Sequence, residues 1–374
     1  MSQQTVLRDL TVADYPALAL FCASFPGEQR PVSFWLQRFQ FWWEQNPAFA
    51  EGFPRGCLLM TGDTIGGVFA LIPKMVAWQG NAMVAANMSC WRVLPEWRSR
   101  SLGLFFHLMG HVKHYPIMNT TPTPDVEVIL QRVPFIHFTA GVRMETVLLT
   151  LPVGTPFWRG IKDIYHMSGH WSEPSDRKGG PFVGVVTALK DYGQQMRLLR
   201  RARRQAGSLS CNPAIGPEFD VLWEQSANRY ALTEVRAMRV LEWFLQRNPN
   251  KKEYLLLTHT YQDRLCAFAL FRRERTGHWP DTDALVAVDV WGARMDGGEL
   301  LPLMGYAVDC ASQMGVHVVR IPHYHRDLAR ALQGVGWIRP LAERMTGYYV
   351  PATGCAPPEL DTVYVSGIMG DAGL

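Results

Sequence analysis

The sequence predicts an α/β (α+β) protein of two tandem lobes, each a mixed, mostly antiparallel sheet flanked by helices. Three observations carry that expectation. The chain has 374 residues, enough for two cores of ordinary size. Residues 57–62, 66–78 and 82–94 read as three consecutive apolar strands, joined at Gly62-Asp63 and Gln79-Gly80-Asn81 by residues that suit tight turns. Residues 254–260, 264–274 and 283–291 form a second such meander with a turn at Gln262-Asp263, and both meanders lead through a loop into a helix, a strand and another helix. The repeat is one of element order, not of residue identity.

Composition narrows the class further. Hydrophobic residues make up 48% and charged residues 19%, the balance of a chain that folds and neither stays disordered nor spans a membrane. No apolar run reaches the ~18 residues of a transmembrane helix, and Met1-Ser-Gln-Gln lacks the basic and apolar regions of a signal peptide, so a cytoplasmic protein without membrane insertion is expected. Cys22, Cys57, Cys90, Cys211, Cys266, Cys310 and Cys355 are scattered and never in C-x-x-C spacing, which argues for reduced thiols and against a zinc site. A net charge of +4 suits an anionic cofactor without by itself indicating nucleic acid.

In chain order, residues 5–24 read as a strand and a helix opened by Thr11, with Asp14 three residues on as a capping partner. Trp35, Phe39, Trp42 and Trp43 recur on one helical face and would cover the sheet. After the first meander come a helix at 101–114, a fifth strand at 116–119, a short helix at 124–133 and extended segments to about 153. Residues 154–180 read as a linker; His166 and His170 lie four apart there, with no Cys nearby and no helix to bring them together as a metal set. The helix at 187–205 carries Arg197, Arg200, Arg201, Arg203 and Arg204, which read as a solvated interdomain face or as a contact for an acidic partner. Helices are expected at 217–227, 233–247, 300–314 and 325–334, with a strand at 316–321. The expected boundaries are 1–153 for the N-terminal lobe, 154–210 for the linker and basic helix, and 211–374 for the C-terminal lobe.

The most informative stretch is 89–110. A strand ends at Val93-Leu94, Pro95 stops it, a polar turn carries Arg98 and Arg100, and Leu102, Phe105, Phe106 and Met109 begin an amphipathic helix. An arginine-bearing turn at a helix N-terminus suits an anion. The segment resembles the acyl-CoA motif of GCN5-related N-acetyltransferases, V-x-P-x-[YW]-[RQ]-x-x-G-x-[GA], through Val93, Pro95, Trp97, Arg98 and Gly103, with Ser101 standing where the pattern has glycine. That resemblance implies a tandem acyl-CoA N-acyltransferase-like protein that binds acetyl-CoA or another acyl-CoA as co-substrate on its first lobe, with no metal. Cys90, Arg92 and Val93 would offer strand backbone; Arg98, Ser99, Arg100, Ser101, Leu102 and Gly103 would take the pyrophosphate; Asn119, at the end of the fifth strand, would touch the cofactor. Asn119 and His137 are the candidate catalytic residues, with His323 and His325 as further bases and Cys90 as a conceivable nucleophile.

The position matching the family's acid tyrosine is Leu130, which cannot donate a proton. In the second lobe Arg294 and Gly297 echo the motif, but Asp296 and Glu299 place acid where a pyrophosphate would sit, so that lobe is expected to be degenerate. The resemblance implies acyl transfer, acetyl foremost, to an amine or hydroxyl of a sugar or amino-acid-like acceptor held between the lobes. Two alternatives stay open: a non-catalytic scaffold in polysaccharide biosynthesis, and an aminoacyl-tRNA-dependent transferase in which the arginines at 197–204 meet tRNA or an acidic carrier.

Overall fold

The structure is a computed structural model that describes residues 4–111, 113–137, 144–156, 159–162, 164–165, 180–204, 206–275, 283–340 and 347–369. His166 and His170 lie outside the described residues. The chain forms two compact units, Met1–Thr139 with Asn228–Lys251 and Thr346–Leu374, and Ala140–Ala227 with Lys252–Met345.

In the first unit, β1 (Thr5–Asp9) is followed by α1 (Tyr15–Ala23) and α2 (Val32–Trp42), then by the meander β2 (Gly56–Thr61), β3 (Thr64–Trp78) and β4 (Asn81–Val93). A 3-10 helix, Pro95–Arg100, runs into α3 (Ser101–His111), and β5 (Ile117–Asn119), α4 (Pro124–Leu130) and β6 (Ile136–His137) complete the lobe. The 3-10 turn Val12–Asp14 that leads into α1 is capped as the Thr11/Asp14 spacing predicts: the Thr11 amide and hydroxyl donate to Asp14 at 2.8 and 2.9 Å, and Arg8 adds a two-pronged ion pair. The aromatic helix α2 covers the sheet, with Trp35, Phe39 and Trp42 buried and the Trp43 indole donating to the Leu71 carbonyl at 2.8 Å.

Two departures from the expected boundaries share a cause, an exchange of strands between the two sheets. β7 (Met144–Leu149), expected to close the first lobe, pairs with β13 (Val318–Pro322) and β14 (Trp337–Pro340) in the second sheet, and β15 (Tyr348–Val350), from the C-terminal end, pairs with β5 and β6 in the first. The first sheet has the order β1-β2-β3-β4-β5-β15-β6, with β9 (Leu232–Glu234) added to β3. The helix expected at 233–247 is therefore β9, a short α-helix at Met238–Glu242 and a π-helical turn at Trp243–Arg247. Buried polar groups on both sides hold this insertion: Lys74 of β3 lies 3.4 Å from Glu234 and donates to the Ile368 carbonyl, while Arg236 donates to Thr233, to the Glu234 carbonyl and to Ser366.

The second unit repeats the plan. To β7, β13 and β14 it adds β8 (Ser208–Cys211), β10 (Tyr254–Tyr261), β11 (Arg264–Arg275) and β12 (Asp283–Gly292), in the order β14-β7-β13-β12-β11-β10-β8. A long helix, Gly180–Arg204, packs on the helix Gly297–Gln313, with Gly305 leaving room for Arg203 and the Leu199 carbonyl. In each unit three antiparallel strands are followed by one parallel pair, β4 with β5 and β12 with β13. The parallel pairing is short in both units, ending at Asn87 with Met118 and at Val286 with Arg320.

Candidate functional site

β4 carries the site. Before residue 90 its side chains alternate regularly, with Ala86 and Met88 in the core beneath α3. Cys90 then adopts φ 49, and the register against β3 slips, so that Ser89 faces Ala70 while Arg92 faces Val68. This is a β-bulge, in which an extra residue bends the strand and re-aims the side chains beyond it. Trp91 consequently shares the α3 face with Met88 and stacks on Phe69 (4.6 Å, 9°) and Phe105 (5.7 Å, 16°). Arg92 turns to the opposite face, where it pairs with Glu28 at 2.9 Å, donates to the Cys22 carbonyl and lies 4.7 Å over the Trp35 ring. Of the expected strand residues, Arg92 thus commits its guanidinium to α1 and α2, Val93 is core, and the Cys90 thiol meets buried Cys22, which raises the Cys22 pKa.

Beyond Pro95 the expected loop is a 3-10 helix. Its amides donate three residues back, including Trp97 to the Leu94 carbonyl at 2.9 Å and Ser101 to the Arg98 carbonyl. The Trp97 ring lies flat against Gly66, where a Cβ would come within 2.4 Å of it, so the turn is clamped to β3. Ser101 sits at φ −57, an ordinary helical conformation, so the departure from glycine imposes no backbone strain here. Arg98, Ser99 and Arg100 are exposed, and no hydrogen bond or ion pair engages their side chains among the described residues. The anion-binding capacity of this turn therefore resides in two free guanidinium groups and a hydroxyl, with Leu102 and Gly103 on the first turn of α3 beside them.

β5 meets β4 at two rungs only, Ala86 with Ile117 and Asn87 with Met118, after which the parallel strands part. Asn119 ends β5; it is buried, and its side-chain oxygen accepts from the Thr121 amide at 3.2 Å. His137 does not meet it. Both lie opposite Tyr348 on either side of β15, two strand spacings or ~10 Å apart. The His137 ring is 5.0 Å from the Tyr348 ring, whose hydroxyl bonds Glu127 and Gln131 and whose pKa burial raises. Leu130 is fully buried in the α3-side core, so no acid stands at that position.

The residue that the sequence reading missed is Asn87. It is 0% exposed, and neither its side-chain oxygen nor its nitrogen has a hydrogen-bond partner; the Thr120 hydroxyl, just past β5, is buried and unpaired likewise. A single asparagine inside the apolar run Val84-Ala-Ala-Asn-Met88 of a central strand is the signal that could have found it.

The second unit has the same scaffold, with side chains of its own at the equivalents of the strand divergence and the arginine turn. Its sheet is also bulged, between Leu270 and Phe271, and β12 leaves β13 after Val286. There the Tyr324 hydroxyl donates to the Ala287 carbonyl, filling the divergence with a buried ring. The loop before the long helix has its own anion: Glu299 accepts from the Arg294 amide (2.7 Å), the Met295 amide (3.2 Å) and the Arg294 guanidinium (3.1 Å), while Asp296 caps the helix. Gly292 leaves the space that carboxylate needs. Asp296 and Glu299 thus do more than repel a pyrophosphate; Glu299 occupies the donors one would use. His323 shares a 2.7 Å hydrogen bond with Thr146 and burial lowers its pKa, while His325 caps the helix that follows it, so both have structural employment.

Among the described residues no three His, Cys, Asp or Glu side chains group to hold a metal ion, and no helix is long and apolar enough to cross a membrane. Solved structures share this architecture. A GCN5-related N-acetyltransferase from Anabaena variabilis superposes with a TM-score of 0.54 at 10% identity, over 92% of this chain and 72% of that one. Saccharomyces cerevisiae N-myristoyltransferase, solved with myristoyl-CoA and inhibitors, gives 0.52 at 10% identity over 98% and 86%. An Enterococcus faecalis protein described as a probable N-acyltransferase gives 0.53 at 10% identity over 93% and 72%. No family profile matches the chain, and no curated protein does. The chain has the tandem acyl-CoA N-acyltransferase fold, and it is the fold that these likenesses establish.

Proposed function

We propose that this protein is an acyl-CoA-dependent acyltransferase with one cofactor site, on the first unit. The observation that carries the reading is the asymmetry between two like scaffolds: in the first unit the turn after β4 carries Arg98 and Arg100, whose side chains no partner engages among the described residues, whereas in the second Tyr324 bonds the backbone where β12 leaves β13 and Glu299 takes the loop's amides. Arg98 and Arg100, with the Ser99 hydroxyl, would hold the pyrophosphate through charge-assisted hydrogen bonds. The pantetheine would lie where β4 and β5 part, against backbone at Cys90–Val93 and the side chain of Asn119. The bulge at Cys90 withdraws main-chain groups from the β3 ladder, and N–H groups there would polarise the thioester carbonyl. An amine or hydroxyl of a sugar or amino-acid-like acceptor would attack that carbonyl, its proton passing to a base and the CoA thiolate departing. His137 is the candidate base, separated from Asn119 by β15, so the acceptor rather than the cofactor would meet it. Acetyl is the reference acyl group, and the cytoplasm the compartment, since CoA thioesters are made there.

Calorimetric titration with acetyl-CoA and CoA tests the reading. Micromolar binding that falls at least tenfold in Arg98→Glu supports it, and absence of binding by either ligand sinks it. Binding without turnover on a broad amine and sugar panel would select the scaffold alternative, which buried Leu130 favours.

A second feature bears on partners. Arg197, Arg200, Arg201 and Arg204 form one exposed stripe along the helix Gly180–Arg204 and, with Tyr192 and Met196, line a groove of about 600 Å³. Arg203, on the packed face, is instead paired with Asp309. Like charges at this spacing oppose the helix by a few tenths of a kcal/mol per pair, and an acidic carrier or tRNA docked there would relieve them. Affinity for such a partner would fall with salt, with a log–log slope near −3 for four phosphate contacts on a single strand.

A further inference from the structure

We infer that the first-unit site selects an acyl group that carries its own oxygen function, such as a hydroxyacyl or oxoacyl group, over a saturated hydrocarbon chain. The inference rests on the acyl-CoA reading and concerns the part of the ligand beyond the thioester. Asn87 stands on the last rung that joins β4 to β5, so it forms the floor of the divergence. Its carboxamide offers two N–H donors and an acceptor, and in this fully buried position none is used. The Thr120 hydroxyl, two residues past the β5 partner of Asn87, is unpaired as well.

The strand pattern places Asn87 on the sheet face opposite α3. Ala86 and Met88 point to the α3 core, and after the bulge Arg92 returns to the Asn87 face, where it covers Trp35 of α2. On that same helix the indole N–H groups of Trp35 and Trp42 are also buried without acceptors. The face is thus rich in unused donors, and their complement is a ligand with oxygen acceptors. A methylene chain laid over it would leave every one of these groups unsatisfied, a mismatch by which polar sites reject apolar analogues strongly. The second unit shows the contrast: the corresponding floor is Val286 and Ala287, with the Ala287 carbonyl already taken by Tyr324.

The experiment compares CoA, butyryl-CoA, 3-hydroxybutyryl-CoA and myristoyl-CoA by calorimetry on the full chain. The inference predicts that 3-hydroxybutyryl-CoA binds about tenfold or more tighter than butyryl-CoA, and that Asn87→Leu removes this preference while CoA binding is unchanged. It also predicts that Asn87→Leu raises the melting temperature of the unliganded protein, because an unpaired carboxamide is replaced by an apolar side chain of similar size. Thr120→Val, a smaller change, should reduce the preference in the same direction. Equal or tighter binding of butyryl- or myristoyl-CoA overturns the inference, as does a preference that survives in both variants or a lowered melting temperature in Asn87→Leu. CoA binding with no acyl discrimination refutes this inference alone; loss of CoA binding altogether refutes the parent reading and this one with it.

Discussion

Replacing Lys74 by Met should destabilise the first unit by about 3–5 kcal/mol. Lys74 is buried in β3, its ammonium 3.4 Å from the Glu234 carboxylate, 2.7 Å from the Ile368 carbonyl and 5.3 Å over the Trp243 ring. The substitution keeps the volume and the aliphatic contacts but strands a carboxylate and a carbonyl in the interior. The carboxylate dominates, since the carbonyl alone accounts for ~1–3 kcal/mol. At about 2–4 °C per kcal/mol for a unit of this size, the melting temperature should fall by roughly 6–20 °C. The test is chemical denaturation followed by tryptophan fluorescence, with the double variant Lys74→Met/Glu234→Leu as control. The double variant should recover most of the loss, because the pair stabilises little relative to packed apolar groups. A single variant within about 1 kcal/mol of wild type, or a double variant worse than the single, would refute the idea that the pair fastens β9 and the C-terminal segment to β3.

Three further outcomes are expected. Ser101→Gly should cost about 0.5 kcal/mol in thermal denaturation, since Ser101 is helical and glycine gains nothing from a positive φ there; a stabilising effect would contradict that geometry. Glu299→Gln should destabilise the second unit by about 1–3 kcal/mol, since it weakens three hydrogen bonds at once, yet leave CoA affinity unchanged; a gain in CoA stoichiometry would show that the second loop is a latent site. The Arg8 ion pair and the Thr11 donors lower the Asp14 pKa to about 2. Because the folded value lies below the unfolded one, this contribution is complete above about pH 4 and is lost as pH falls towards 2. It should amount to on the order of 1 kcal/mol, given that Arg8 is partly exposed, and Asp14→Asn should flatten that part of a stability–pH profile.

Much of the fold was legible because the meanders write themselves as long apolar runs broken by turn residues, and the turn at Gln262-Asp263 shows it: both residues take positive φ as a tight turn requires. Strand destinations were not legible. Met144–Leu149 reads as a strand from its own pattern, but nothing local says that it pairs with Val318–Pro322 and not with β5. The segment 233–247 looks helical because Val235, Met238, Leu241 and Phe244 recur at helical spacing, and the ladder to Val76–Trp78, with the buried Lys74–Glu234 pair, overrides that preference for its first residues. At the site, the arginine turn was legible as chemistry, but its 3-10 geometry and the diversion of Arg92 to Glu28 depend on a bulge that no side-chain pattern announces. Asn119 and His137 are near in sequence terms, and a strand from the far end of the chain comes between them.

The proposed asymmetry, CoA bound by the first unit and not by the second, is read most directly by hydrogen–deuterium exchange with and without saturating acetyl-CoA. Protection is expected across 86–103 and 117–121, with no change across 284–300. Protection at 292–300, or equal protection of both segments, would mean that the filled second loop is a cofactor site after all.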